Sequence, residues 1–205
     1  MIGILDYGVG NVGAYLRIFH SQNISVMPIK SATDFELVDK IILPGVGAFD
    51  SAMRKLNDSG LRDTLDEMVL KQSKPLLAVC IGMHMLGRHS EEGSLAGLGY
   101  IAGVTKALPH SVKNKSLMLP HMGWNEIGIL RDDDLWTGIN TREGFYFLHS
   151  YAFSPDCVEA TIGTSDYGIS FACAVKSSNI YGFQFHPEKS LSNGMRLLKN
   201  FGENA

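Results

Sequence analysis

Along the first half of the chain, short apolar runs alternate with stretches whose apolar positions recur every three or four residues. The runs IGIL (2–5), SVMPI (25–29), KIILP (40–44) and PLLAVC (75–80) are nearly free of polar residues, which predicts strands buried on both faces. Between them the helical period covers 12–22, entered through Asn11, then 49–57 and 61–72, and a further helix begins over 83–89. Strand, helix, strand at this rhythm predicts an α/β fold with a mostly parallel central sheet and helices on both of its faces.

The pattern then changes. GFYFLHSYAF, EATIGTSDYG, SFACAVKS and NIYGFQF read as strands separated by turn residues, with no full helix until 193–201. These strands are expected to extend the sheet through antiparallel pairs. The stretch 109–134 is rich in loop residues and receives no assignment. No repeat, low-complexity tract or linker cuts the chain, so residues 1–205 are expected to form one domain.

Composition narrows the function classes. The chain has 205 residues, of which 45% are hydrophobic, enough for a sizeable core. A net charge of −3 with no long basic run excludes a surface built for nucleic acid or anionic lipid. The opening has no basic leader and meets Asp6 directly after IGIL, and no apolar run approaches the ~18 residues of a membrane span. The expected location is cytoplasmic, with no membrane contact. Cys80, Cys157 and Cys173 are an odd set at no metal-ligand spacing, which argues against disulfides or zinc.

In I-L-D-Y-G-V-G-N-V-G-A-Y, Gly8, Gly10 and Gly13 have the spacing of a dinucleotide-binding fingerprint, between a strand and a helix as that motif requires. The fingerprint also needs an acid at the end of the second strand to hold the ribose hydroxyls. Here that strand ends at Ile29 and Lys30, and Asp34 comes too late. The remaining readings are a glycine turn that starts a helix close to the sheet edge, or a surface for another protein.

K-P-L-L-A-V-C-I-G-M-H-M-L carries a stronger signal. A strand runs straight into Cys80, and Gly82 then opens a helix, the layout of a nucleophile elbow with small residues, Ala78 and Gly82, on either side of its apex. A sulfur at a helix amino terminus also feels the positive end of the macrodipole, which favours thiolate. The alternative is a cysteine serving as one more apolar residue at a strand end. In N-I-Y-G-F-Q-F-H-P-E-K-S, His186 and Glu188 are two apart in a segment read as extended, which places them on one face and lets the acid orient the imidazole. Cysteine, histidine and acid supply a nucleophile, a base and its aligner. Acyl transfer also needs oxyanion donors: the Ile81 N–H follows the nucleophile, and Gly45 and Gly47 free the peptide at Val46 to present another.

The set V-C-I-G, P-G-V-G-A-F and Q-F-H-P-E resembles the class I (triad) glutamine amidotransferases, enzymes of flavodoxin-like α/β fold whose cysteine attacks the side-chain amide of L-glutamine and releases ammonia. Within that family D-Y-G-V-G-N, L-P-H-M-G-W-N, F-Y-F-L-H-S-Y and Q-F-H-P-E-K-S are similar to the glutaminase subunits that form a heterodimer with a barrel-shaped synthase (cyclase) subunit making imidazole glycerol phosphate in histidine biosynthesis. The resemblance covers nearly the whole chain. It implies Cys80 as nucleophile, His186 as base and acid, Glu188 as its partner, Val46 and Ile81 as oxyanion donors, and Gly47, His84, Ser150 and Tyr151 around the glutamine. It implies that Asn11 faces the synthase, and that Pro120, His121, Met122, Gly123, Trp124 and Asn125 lie beside the ammonia passage. No metal or organic cofactor is implied, and the isolated subunit is expected to be nearly silent until its partner switches it on.

Two positions depart from the family pattern. Ala78 stands where glycine is usual, and His84 where the family has the glutamine of C-L-G-M-Q. A histidine there is expected to make glutamine binding weaker or pH-sensitive. Two other readings stay open on sequence: a paralogous glutaminase feeding a surface-sugar amidotransferase, and a non-catalytic scaffold that keeps the fold.

Overall fold

A single eight-stranded sheet carries the molecule, in a computed structural model that describes residues 1–112 and 115–204. Its first half is built from β1 (Ile2–Leu5), α1 (Val12–Ser21), β2 (Val26–Ile29), β3 (Lys40–Leu43), α2 (Phe49–Asp58), α3 (Arg62–Asp66), β4 (Leu76–Val79) and α4 (Ile81–Met85). Then come β5 (Gly103–Ala107), β6 (Ser111–Val112), β7 (Lys115–Ser116), β8 (His121–Asn125), β9 (Gly128–Ile129), β10 (Phe145–His149) and β11 (Tyr151–Pro155). β12 (Thr161–Asp166), β13 (Ser170–Ser177), β14 (Ile180–Phe183) and α5 (Leu191–Asn204) close the chain.

The sheet order is β2-β1-β3-β4-β14-β13-β12-β9. From β2 to β14 every pairing is parallel, and from β14 to β9 every pairing is antiparallel. β1 and β4 are buried at all four positions, as their unbroken apolar runs require. The helices cover the sheet with single apolar stripes: α2 buries Phe49, Ala52, Met53 and Leu56, the i, i+3, i+4, i+7 pattern. α1 starts where the Asn11 side chain accepts from the Ala14 N–H at 3.1 Å and caps the helix. Among the described residues no helix is long and apolar enough to cross a membrane.

Three local expectations change. The 61–72 helix becomes a π turn over Glu67–Lys71 after α3. The helix expected over 83–89 starts earlier, directly after Cys80, and stops at Met85, because Gly87 must lie against the ring of Phe153 and the Gly103 carbonyl, leaving no room for another helical turn. GFYFLHSYAF is two strands: the inward alternation of Phe145, Phe147 and His149 breaks at Ser150, and Ala152 and Phe153 are then buried in succession. β10 therefore pairs with β8 and β11 with β5, as antiparallel ribbons beside the main sheet instead of extensions of it. β8 and β9 lie inside the stretch 109–134 left unassigned from sequence, while Lys113 and Asn114 fall outside the described residues.

The ribbons are joined to the sheet by aromatic packing. Phe185, fully buried, stacks on Phe145 with ring centroids 4.0 Å apart and on Phe183 at 5.0 Å, and meets Phe147 edge to face. The residue that follows it is His186.

Candidate active site

Cys80 occupies the junction of β4 and α4 with φ at 54°, a left-handed conformation that costs a non-glycine residue about 1–3 kcal/mol and persists only where its surroundings enforce it. They do so through the backbone. The Cys80 N–H donates to the Phe183 carbonyl of β14 at 2.7 Å, and the Cys80 carbonyl accepts from the His84 N–H at 3.1 Å. The end of β3 is pressed against the turn: a side chain on Gly82 would clash with the Leu43 carbonyl oxygen, and one on Gly45 with the backbone N of Gly82. The elbow thus explains why glycines stand at both positions.

His186 is held from two sides. Its N–H donates to the Tyr146 carbonyl on β10 at 2.9 Å, and its carbonyl accepts from the Ser190 hydroxyl. Its Nδ1 meets Glu188 Oε1 at 2.9 Å, which leaves Nε2 for Cys80. The expected contact is present, but the backbone route differs: Pro187–Lys189 is a 3-10 turn, not an extended segment, and the turn brings the carboxylate back under the ring. Tyr15 of α1 donates its hydroxyl to the other oxygen, Glu188 Oε2, at 2.9 Å. Burial opposes charge on His186, but hydrogen bonding to Cys80 and Glu188 and the negative charges there outweigh it and raise the imidazole to about 10. Burial likewise pushes the Glu188 carboxyl up, and its bond and charge pairing with His186 pull it below the ordinary range. Both directions describe an imidazolium–carboxylate pair standing behind the Cys80 sulfur.

A cavity of about 320 Å³ opens over these residues. Cys80, His186, Val46, Gly47 and Ile81 line it, together with His84, Ser150, Tyr151 and Pro120 of the expected set. Gly47 has φ at 90°, the freedom the oxyanion loop needs. Three clefts of about 710, 590 and 500 Å³ are larger but are not lined by the thiol, so chemistry and not size selects the site. Asn11 is exposed at the start of α1. On β8, Met122 and Trp124 are exposed while His121 is buried; Gly123 and Asn125 lie between these extremes.

His121 belongs to a chain of bonds that sequence did not suggest. Its Nδ1 is 2.9 Å from His149 Nε2, and its Nε2 is 3.2 Å from the Asn125 amide nitrogen; His149 Nδ1 meets the Tyr151 carbonyl at 2.9 Å. Burial lowers His121 to about 4 and His149 to about 3, so both rings are neutral and the donors must all run one way, from Asn125 through His121 and His149 to Tyr151.

The pH-sensitive role expected of His84 is corrected. The ring is buried, its Nε2 is 2.8 Å from Gln184 Oε1, and burial lowers it to about 4, so it stays neutral through the physiological range. A neutral ring that donates from Nε2 keeps Nδ1 as an acceptor, and that buried atom has no hydrogen-bond partner among the described residues. Sequence reasoning also passed over Glu92, Leu148, His149 and Lys189, which line the cavity, and Gln184 and Tyr15 behind it. The glycine-rich opening loop serves the fold, because Gly8 and Gly10 have positive φ, and a Cβ on Gly10 would collide with Pro44, the residue before the oxyanion glycines. Asp34, the acid that came too late for a ribose, accepts from the N–H groups of Lys30 and Ser31 at 2.8 Å each.

Comparisons with known proteins bear on the family and the fold of the chain. A family model described as "Glutamine amidotransferase class-I" matches residues 4–205. The chain is 45% identical over 201 residues to the imidazole glycerol phosphate synthase subunit HisH of Leptospira interrogans, covering 98% of each chain. It is 43% identical over 203 residues to that of Bdellovibrio bacteriovorus, covering 99% of this chain and all of the other. Among solved structures, a crystal structure of a glutamine amidotransferase superposes with a TM-score of 0.71 at 15% identity, over 98% of this chain and 96% of that one. A glutamine amidotransferase from Thermotoga maritima superposes with a TM-score of 0.65 at 16% identity, over 98% of this chain and 81% of that one.

Proposed function

The chain belongs to the class I glutamine amidotransferases, and from that premise we propose how its residues divide the work of hydrolysing glutamine to glutamate and ammonia. The reading rests on one observation: Cys80, at a strained elbow, and His186, backed at 2.9 Å by Glu188, line the same cavity. The Cys80 thiolate attacks the side-chain amide carbon, and the oxyanion that forms is met by the N–H groups of Ile81 and Val46. His186 gives its proton to the departing nitrogen, so ammonia leaves and a glutamyl thioester remains. His186 then takes a proton from water as it attacks the thioester, glutamate is released and the sulfur returns to thiolate. Gly47, Ser150 and Tyr151 flank the substrate. Glu92 places a carboxylate where it suits the α-ammonium group, and His84 lines the same cavity.

The ammonia is used in histidine biosynthesis, by the synthase subunit implied by relatives named as subunits of imidazole glycerol phosphate synthase. We assign that partner a barrel shape and a heterodimeric contact that includes Asn11 and the exposed side of β8, with the cytoplasm as the compartment and residues 1–205 as one domain. Ammonia passes Pro120 on its way out, beside the neutral His149 and His121, which cannot trap it as ammonium. The test is glutamine turnover by the chain with its candidate synthase, with and without an analogue of the acceptor, together with labelling of Cys80 by a glutamine-like diazoketone. Turnover that depends on the synthase, with the label on Cys80, is the expected result. A chain that neither turns over glutamine in the complex nor labels at Cys80 contradicts the reading.

A further inference from the structure

The carboxylate behind His186 is held at both of its oxygens, and only one of the two holds was visible in the motif. Oε1 meets His186 Nδ1; Oε2 accepts from the Tyr15 hydroxyl at 2.9 Å. The terminal torsion of a glutamate side chain is broad and roughly two-fold, so a single hydrogen bond does not fix the plane of its carboxylate. Two bonds on opposite oxygens do. The Glu188 side chain is almost wholly buried, so an oxygen without a donor there has no water to turn to and its charge is penalised.

Tyr15 is an unusual choice for that position unless its hydroxyl matters. It faces the sheet on the same buried stripe of α1 as Ala14 and Phe19, and is 1% exposed. An aliphatic side chain would satisfy the packing; a buried phenol needs an acceptor, and Glu188 is the one it has. The ring is anchored at the first turn of a helix that is itself fixed, since Asn11 caps it and the preceding loop is wedged on Pro44 through Gly10 and through the Tyr7 hydroxyl, which donates to the Pro44 carbonyl at 2.8 Å. One end of this segment therefore braces the loop that leads to Val46, and the other braces Glu188.

We propose that Tyr15 is a positioning residue of the hydrolytic site, whose hydroxyl locks the Glu188 carboxylate in the plane that aims His186 at Cys80. The assignment rests on the triad reading above. The titratable groups around the hydroxyl are Glu188 and Cys80, with His186 beyond Glu188. Burial, and then the charge of Glu188, raise the Tyr15 phenol well above its ordinary range, so it remains a donor at every pH at which the enzyme works.

The test compares the wild-type chain, Tyr15→Phe, Glu188→Ala and the double variant, each in complex with the synthase subunit, for kcat and KM of glutamine hydrolysis and for thermal melting. Tyr15→Phe removes one oxygen and keeps the ring, so melting is expected to shift little. The expected signature is a kcat lower by about tenfold, from a misaimed imidazole, with KM within about twofold. The acid limb of the kcat/KM profile is expected to move to higher pH, because Glu188 loses a donor that favours its charged form. In the Glu188→Ala background the same substitution is expected to cost less than about twofold more, since its only route of action is gone. A Tyr15→Phe enzyme with wild-type kcat and a superimposable pH profile overturns the proposal, as does a loss that multiplies in full with that of Glu188→Ala. If the wild-type complex does not hydrolyse glutamine, the triad reading falls and takes this assignment with it, a result distinguishable from a working wild type with an indifferent Tyr15.

Discussion

Two of the three imidazoles that line the cavity titrate in opposite directions. His186, at the carboxyl edge of the parallel sheet, is raised to about 10, and His149, on the β8–β10 ribbon, is lowered to about 3. Burial disfavours the charged form of both, so burial cannot be what separates them. The difference is what stands behind each ring. His186 has a carboxylate and a thiol; His149 has the Tyr151 carbonyl and another neutral imidazole. One part of the cavity lining is thereby equipped to hold and move a proton, and another part to carry none. A site that must protonate a leaving nitrogen and then let neutral ammonia depart needs both kinds of lining, because ammonium would be held by desolvation cost and by any acid in its path.

The sharpest way to break this division is to remove each ring. His186→Ala is expected to lower kcat/KM for glutamine by about 10⁴-fold or more, as the loss of one member of a nucleophile–base–acid set does. His149→Gln keeps a hydrogen-bonding side chain in the other part of the lining, and is expected to cost no more than about tenfold through the placement of Ser150 and Tyr151. Steady-state glutamate release in the synthase complex measures both. Comparable losses would mean that the two parts are not distinct in function.

Next in size is the elbow itself. Gly82→Ala places a methyl against the Leu43 carbonyl, and backbone cannot yield as a side-chain tip does, so β3 and α4 must part. The expected destabilisation is about 2–4 kcal/mol, with a loss of activity beyond that because the Cys80 turn opens; denaturant melts and Cys80 labelling read the two effects separately. A fully active, equally stable Gly82→Ala chain would remove the structural reason for the strained cysteine.

The elbow at Cys80 and the contact of His186 with Glu188 were legible in the sequence because their signals are local. A strand ending in cysteine with glycine two residues on, or histidine and glutamate flanking proline, is visible within a dozen letters. Even so, the extended geometry inferred for 186–188 is a 3-10 turn; the two side chains meet, but by a different path. Tyr15 was illegible for a different reason. On a helix its position reads as one more residue of an apolar stripe, and the partner that gives its hydroxyl a purpose lies 173 residues away. Gln184, which meets His84, and the His121–His149 pair are hidden in the same way by contacts across 100 and 28 residues. The ribbon architecture escaped because the break at Ser150 is a change of register within a continuous apolar run, and period-two reasoning sees the run but not which sheet receives it.

A smaller effect sharpens the comparison through pH. A ring with a raised pKa stabilises the fold below the ordinary histidine value near 6.5, and that contribution is lost as pH rises through about 10. Rings with lowered pKa do the reverse: His149 and His84 contribute fully above about 6.5, and lose their contribution as pH falls toward about 3 and 4. Each should add up to about 1.4 kcal/mol per pH unit to the decline on acidification. His84→Gln and His149→Gln are therefore expected to melt with a flatter pH dependence between 4 and 6 than the wild type. The same neutrality predicts a KM for glutamine that is flat from pH 6 to 8, contrary to the first expectation for His84. A KM that follows a group near 6.5, and loses that dependence in His84→Gln, would return the ring to the role of a titrating ligand.

The smallest effect on stability is expected on the outer face of the ribbon. Along β8 the side chains alternate, His121 inward against Phe147 and Tyr167, Met122 and Trp124 outward into solvent. Inward rings at this wall are fixed by stacking and hydrogen bonds, whereas Trp124, 48% exposed, has a large apolar face that the chain itself leaves uncovered. Trp124→Ala should therefore change the stability of the isolated chain by no more than about 0.5 kcal/mol, the range of an ordinary surface substitution. Its consequence belongs to the complex. If Trp124 walls the ammonia passage against the partner, losing it opens that junction to water, and the amount of glutamate formed should exceed the amount of acceptor aminated. A stoichiometry that stays at unity would restrict the neutral wall to the inner face, where His121 and His149 lie.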